Sequence, residues 1–391
     1  MSDHQKTEKK FDFRNILILI IATSFSFLIG EYILRQMTVT DRLGFERVSS
    51  VEKRAFAAPV AKHRMLRIVG IGDSFTIFRD TQGRNYLRYA EKKISKEGSS
   101  GIDVINLAQA GTNLHEYFKN IALYGERLRP DIVTIGLYLG NDISRPGELS
   151  LKQKFEVGEL MQKKKVKEKN LKEVLTGWAK NSLLLNFIFR QLKVYVPALR
   201  SGAFEDLIDY LKKYEGKDDK FVQKRLNRAD PRMVQLAKSD AINVWDLASA
   251  IFHPDHYVNL YDVPPGSPAE RNLSKMLIDL DFVISWLLAR DMKPIVILLH
   301  PSIIVGKEYQ EYYKRLGYSL PDVETKTTPL TDRITEHLLS REIVFLDTLS
   351  LLRSTKGNLY IPNDTHLNSK GQRVVGEALY ELIESNKMLS N

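Results

Sequence analysis

The chain has no cysteine among its 391 residues. Disulfides, thiol nucleophiles and cysteine-built metal sites are therefore excluded, although the compartment is not, because exported proteins also do without cysteine. No internal repeat, collagen-like period or glutamine-rich tract occurs, which argues against an array architecture. There is also no nucleic-acid-binding motif. The net charge of +10 then reads as a basic solvated surface, or as attraction to an acidic partner such as anionic lipid or an acidic polymer. What the chain does have is size. Its length and its 43% hydrophobic composition suffice for one large domain with an insertion, or for two domains.

A basic lead containing Lys6, Lys9, Lys10 and Arg14 runs directly into an apolar stretch. Ile16 to Leu34 makes 19 residues, roughly 28 Å of helix, close to the hydrocarbon thickness of a bilayer. Glu31 would fall at the far interface, where a carboxylate reaches water. The apolar part is long for a cleaved signal peptide, and no small-x-small cleavage site directly follows Gly30. We therefore expect an uncleaved single-pass anchor. The expected order is a cytoplasmic tail (1–15), a transmembrane anchor (16–34), a linker (35–64) and a domain outside the cytoplasm, periplasmic or at the cell surface (65–391). Arg35, Arg42 and Arg47 on the far flank reduce the charge asymmetry behind that orientation.

Five short apolar runs follow: Leu66–Ile71, Asp103–Leu107, Asp131–Leu139, Pro294–His300 and Glu342–Asp347. Each is rich in Val, Ile and Leu without clean alternation, as expected for strands covered on both faces of a parallel sheet. Helical patterns lie between them. One follows Thr112 and Asn113 to about Leu128; a second starts at Ser267-Pro268 and runs to about Ala289; the last follows Asn368. Alternating strand and helix signals predict a three-layer α/β fold. Residues of about 145–265 are too long for an ordinary connection. They include the charge run Gln162–Val174 and the apolar, basic segment Leu183–Leu199, and we expect a mainly helical insertion beside the site. Its faces are either solvated or suited to a membrane surface or a partner.

The unusual polar residues fall at the ends of those runs. Gly72-Asp73-Ser74 ends the first, Ala110-Gly111-Thr112-Asn113 follows the second, Gly140-Asn141-Asp142 ends the third, and Asn363-Asp364-Thr365-His366 precedes the final helix. All four map to the carboxyl edge of one sheet, where open α/β folds place their sites. A serine hydroxyl becomes a useful nucleophile only when a base takes its proton, and His366 is the candidate base for Ser74. Asp364 would hold the imidazole's tautomer and stabilise the imidazolium. Candidate donors for a tetrahedral oxyanion are the backbone N–H groups of Ser74 and Gly111 and the side-chain amide of Asn141. Asp73 is expected to brace its turn and Asp142 to cap one. His115 and His300 read as packed or surface residues, and Tyr138 and Tyr360 as ordinary packing or as cleft lining.

With those blocks in hand, the sequence resembles the SGNH (GDSL-like) hydrolase superfamily. Ser74 in GIGDSFT, Gly111, Asn141 in LGNDI and His366 in DTHLNSKGQRVVGEAL match the family's first, second, third and fifth blocks. The resemblance covers about residues 66–142 and 290–386. It implies a flavodoxin-like, five-stranded parallel sheet of order 2-1-3-4-5, with the catalytic set Ser74, Asp364 and His366 and the oxyanion set Ser74, Gly111 and Asn141. One departure stands out. The family's usual D-x-x-H register would put Asn363 at the acid's place, whereas the acid here is Asp364 in D-x-H. That spacing resembles a branch containing membrane-tethered polysaccharide O-acetyltransferases and their esterase-like relatives. The expected activity is removal or transfer of a small acyl group, most plausibly acetyl, on cell-envelope carbohydrate through an acyl-Ser74 intermediate, with no metal or organic cofactor. The expected partners are the acyl-ester or carbohydrate substrate, membrane lipid through the N-terminal helix, and a membrane acyl-donor protein as a further candidate. A non-catalytic carbohydrate-binding or assembly protein and a lipid or thioester hydrolase are the alternative readings.

Overall fold

The apolar runs become β1 (Leu66–Gly72), β2 (Ile102–Asn106), β3 (Ile132–Tyr138), β4 (Lys293–Leu299) and β5 (Phe345–Asp347). All pair in parallel, in the order β2-β1-β3-β4-β5, as the family resemblance implied. The computed structural model describes residues 26, 51, 54–55, 66–80, 83–96, 102–143, 151–152, 203–239, 241–261, 263–320 and 328–388. The chain divides into two units; of the first, Met1–Val39 with Lys164–Ser201, only Ser26, which is helical, is described. The second comprises Thr40–Lys163 with Gly202–Asn391. Among the described residues no helix is long and apolar enough to cross a membrane. The Ile16–Leu34 span lies outside them apart from Ser26, as do the segments 162–174 and 183–199.

The helices are α1 (Ser74–Ile77), α2 (Tyr86–Lys96), α3 (Leu114–Leu128), α4 (Ala203–Glu215), α5 (Asp219–Leu226), α6 (Pro231–Lys238), α7 (Val244–Phe252) and α8 (Val258–Tyr261), followed by α9 (Pro268–Leu288), α10 (Ser302–Val305), α11 (Lys307–Leu316), α12 (Pro329–Ser340), α13 (Leu349–Ser354) and α14 (Ser369–Ser385). Every residue of β3 is buried, as is nearly every residue of β1 and β4, so helices cover both faces of the sheet. One set consists of α2 packed on α14; the other runs through α3, α9 and α12.

Helix starts fall where the sequence placed them, and for the expected chemical reason. Asn113 caps α3 in a capping box with Glu116, Ser267 caps α9 ahead of Pro268, and Asn368 accepts from two N–H groups of α14. Each cap satisfies donors that the first helical turn leaves unpaired. β5 is shorter than the Glu342–Asp347 run. Glu342 turns with φ of 55°, and only Phe345 to Asp347 align with β4. One part of the expected linker also departs from expectation. Ala55 is fully buried and the Arg54 Nε–H donates to the Asn106 carbonyl at 2.6 Å, so these residues belong to the domain's core.

At the amino edge, polar chemistry is structural. Arg67 is buried, pairs with Asp103 at 2.8 Å and donates to the Leu128 carbonyl at 2.7 Å, which neutralises a charge that burial would otherwise penalise. At the carboxyl edge, Gly72 and Gly136 stand opposite each other on β1 and β3. A Cβ on either would come within 2.1 Å of the Thr76 hydroxyl. The paired absence of side chains lets α1, and the serine that begins it, sit directly on the sheet.

Candidate active site

Ser74 occupies the first position of α1, and the residue that caps the helix is Asp73, whose carboxylate accepts the Phe75 N–H at 2.9 Å. Asp73 is fully buried, and its second oxygen accepts the Asn141 Nδ2–H at 2.9 Å. It therefore ties the serine's turn to the third block. Burial is the largest influence on this carboxyl and pushes it up to about 6, against the pull of the bonds from Phe75 and Asn141. Asn141 itself is set by a tight turn in which the Asn141 and Asp142 N–H groups return to the Tyr138 carbonyl. Asp142 accepts the Tyr138 N–H at 2.8 Å and the Tyr117 hydroxyl at 3.0 Å, the turn-capping role expected of it.

Gly111 lies on the loop after β2. That loop is fastened to β1 by the Leu107 N–H on the Gly70 carbonyl at 2.7 Å and the Gln109 N–H on the Gly72 carbonyl at 2.9 Å. The glycine has φ of 72°, a left-handed conformation that L side chains rarely adopt, and a Cβ there would face open space. Gly111 is exposed, two residues beyond the Gln109 N–H that fastens the loop to the end of β1.

The fifth block supplies a His–Asp pair. His366 Nδ1 and Asp364 Oδ1 are 2.5 Å apart, and the same oxygen accepts the His366 backbone N–H at 2.9 Å. Both residues are buried. The imidazole ring stacks on Phe78, and its centroid is 4.9 Å from those of both Phe78 and Phe75. Because both phenylalanines belong to the segment that Ser74 begins, the ring is held beside the serine's turn. Burial alone would raise the Asp364 carboxyl, but the His366 charge and hydrogen bonds hold it below the usual carboxylate range. Burial would likewise lower the imidazole, yet Asp364 outweighs it and His366 stands above its ordinary value. Asn363, the acid's place in the alternative register, is exposed with φ of 60°; its carbonyl, not its side chain, is engaged, accepting the Tyr312 hydroxyl at 3.0 Å.

The remaining expected packing residues are accounted for. His115 is buried against Asp279 at 2.9 Å, and His300 against Asp347 at 2.7 Å. The Tyr360 hydroxyl donates to the His300 carbonyl at 2.9 Å, and Tyr138 stacks on Phe75 with centroids 3.7 Å apart. Among the described residues, no group of three or more His, Cys, Asp or Glu side chains is placed to hold a metal ion.

Two residues escaped the sequence reading. Asp246, on α7, is a buried carboxylate that acts electrostatically on His366 and is itself acted on by Asp364. Tyr312, on α11, donates to it at 3.2 Å. The only signal for Asp246 was a single acid within the otherwise apolar VWDLASAIF. Nearby, His256 Nε2 meets the Gly140 carbonyl, so the stretch from 244 to 256 touches the third block directly and reaches the fifth through Tyr312. A cleft of about 670 Å³ opens on the fifth-block side, between Tyr309, Tyr312, Arg353, Asn358 and Asp364. Ser74 is not among its lining residues.

No protein-family model matches the chain, and no curated protein matches it. Among solved structures it is similar to a GDSL-like lipase from Bacteroides thetaiotaomicron, at 11% identity over 86% of this chain and 96% of that one, with a TM-score of 0.37. It is similar to the lipase/acylhydrolase from Enterococcus faecalis at 10% identity over 82% and 97%, with a TM-score of 0.39. A catalytic mutant of an acetylxylan esterase from Geobacillus stearothermophilus shares 10% identity over 81% and 94%, with a TM-score of 0.38. The three are described as a GDSL-like lipase, a lipase/acylhydrolase and an acetylxylan esterase.

Proposed function

We propose that the protein is an SGNH-type serine ester hydrolase or O-acyltransferase that acts on small acyl esters, acetyl above all, of cell-envelope carbohydrate. The observation that carries this reading is the buried 2.5 Å contact between His366 Nδ1 and Asp364 Oδ1, placed against the short helix that Ser74 begins. With Nδ1 committed to the carboxylate, Nε2 is the nitrogen left to take the serine proton. Ser74 Oγ then attacks the ester carbonyl, and the negative charge that develops on the carbonyl oxygen is met by the N–H groups of Ser74 and Gly111 and the Asn141 amide. Asn141 is held in place by the bond its amide donates to Asp73. One such donor is typically worth about 3 kcal/mol of barrier. Collapse of the tetrahedral intermediate returns the proton from His366 to the departing alkoxide. Water resolves the acyl-Ser74 ester in hydrolysis, and a sugar hydroxyl resolves it in transfer, each giving its proton to His366.

The two outcomes separate by product. The full chain, incubated with an activated aryl acetate and a sugar acceptor, is expected to release the aryl alcohol in a Ser74-dependent reaction. Acetylated sugar in the products identifies a transferase, and free acetate alone identifies a hydrolase. No Ser74-dependent release would refute the reading.

The N-terminal span supports a further part of the proposal, that the enzyme is a single-pass membrane protein with its domain outside the cytoplasm. The chain is expected to stay with membranes through salt and alkaline washing. Recovery as a soluble, N-terminally shortened protein would instead mean a cleaved leader.

A further inference from the structure

The inserted helices place a second carboxylate at the His–Asp pair. Asp246 is buried on α7. Its Oδ2 lies 3.2 Å from the Tyr312 hydroxyl, and that hydroxyl lies 3.0 Å from the carbonyl of Asn363, the residue just before Asp364. The Tyr318 hydroxyl donates to the Asp246 carbonyl at 3.0 Å, fixing the helix that carries it. A tyrosine hydroxyl has one proton to donate and can also accept. When Asp246 is ionised, Tyr312 has two acceptors competing for that proton. When Asp246 is protonated, its O–H donates to Tyr312 and Tyr312 donates to Asn363, so every group in the chain is satisfied.

We propose that Asp246 and Tyr312 are positioning residues, which fasten the Asn363–His366 turn to the insertion and thereby hold the imidazole in place. The insertion is then part of the catalytic apparatus. The groups facing Asp246 are Asp364 and His366 from the fifth block, Tyr312 and Tyr313 on α11, Tyr318 just beyond it, Tyr257 before α8 and Tyr138 on β3. Burial, reinforced by the charge of Asp364, pushes the Asp246 carboxyl up to about 7, in the direction that favours the fully satisfied chain. The only cation among these groups is His366 when protonated, and Asp246 is one of the charges that raise it.

This inference rests on the proposed function for its kinetic arm only. In the full chain, Asp246→Ala and Tyr312→Phe are expected to lower kcat on an aryl acetate roughly tenfold, with KM changing less than twofold; a lost hydrogen bond in a buried polar chain is of that order. Asp246→Asn is expected to recover most of kcat, because its amide can donate to Tyr312 as the carboxylic acid does. The same variant should lower the midpoint of the His366 imidazole titration, followed by NMR, because Asp246, pushed up to about 7, is partly ionised over that pH range and its ionised fraction favours the imidazolium, as the amide cannot. Thermal unfolding of each variant separates a loss of fold from a loss of positioning. An unchanged His366 titration in Asp246→Asn, with wild-type kcat in the other two, would overturn the proposal. The titration needs no turnover. A shifted midpoint in a protein without Ser74-dependent esterolysis would uphold the positioning role and refute the ester-transfer reading alone.

Discussion

Ser74→Ala is expected to abolish covalent labelling by a fluorophosphonate probe and to cut ester turnover by a factor on the order of 10⁶, as loss of the nucleophile does in serine proteases. The fold should be untouched, for a reason visible in the structure. A serine after a strand often serves as a helix cap, and its loss would then cost stability. Here Asp73 is the cap and Ser74 is the first helical residue, a position where alanine is well tolerated. Unfolding temperature and labelling therefore come apart: the first stays and the second disappears. Equal labelling of wild type and variant would remove Ser74 from the mechanism.

Asp364→Asn is expected to leave substrate binding nearly unchanged and to lower turnover by up to ~10⁴-fold, the scale on which a serine-protease triad suffers when its imidazole is left in the wrong tautomer. The carboxylate can only accept from His366 Nδ1, which forces the proton onto that nitrogen and leaves Nε2 basic. An amide can present its own N–H instead and reverse the assignment. Asn363→Ala should have a far smaller effect on rate, because the Asn363 side chain is exposed and only its carbonyl is engaged. The pH dependence follows with a definite sign. His366 works as a base when neutral, and although burial opposes it, Asp364 raises its pKa above the ordinary value. Activity should therefore fall as pH drops through that raised value. In Asp364→Asn the supporting charge is lost, so the acid limb of the residual activity should move to lower pH. A nearly wild-type rate for Asp364→Asn would reduce the site to a Ser–His pair.

Much of this arrangement was legible in the sequence because it rests on local rules. Strands covered on both faces must be apolar throughout, so β1, β3 and β4 stand out as unbroken runs. Helix starts need side-chain oxygens for orphan N–H groups, so Asn113, Ser267 and Asn368 mark three of them. The candidate site residues were chosen for a related reason. In a parallel sheet each strand delivers its following turn to the same edge, so the sequence assigns Ser74, Gly111, Asn141 and His366 to one edge without any long-range knowledge; the structure ties Asn141 to the serine's turn and His366 to the segment that follows it. The choice between Asn363 and Asp364 was different. Two residues two and three positions before a histidine are equally plausible partners until backbone dihedrals decide which side chain turns inward, and Asn363 takes the left-handed conformation that leaves it outside.

Sequence alone therefore determined the sheet's composition, the capped helices and the residue types gathered at its carboxyl edge, since each depends on a few neighbouring positions. Only the tertiary structure decided what surrounds them. Asp73 as the bridge between Ser74 and Asn141, the seating of α1 on paired glycines, and Asp246 and Tyr312 against the fifth block all join residues tens of positions apart. Such contacts leave no periodic trace, because a single buried carboxylate in an apolar helix has the same sequence whatever it faces, and its meaning comes from the groups that folding brings to it.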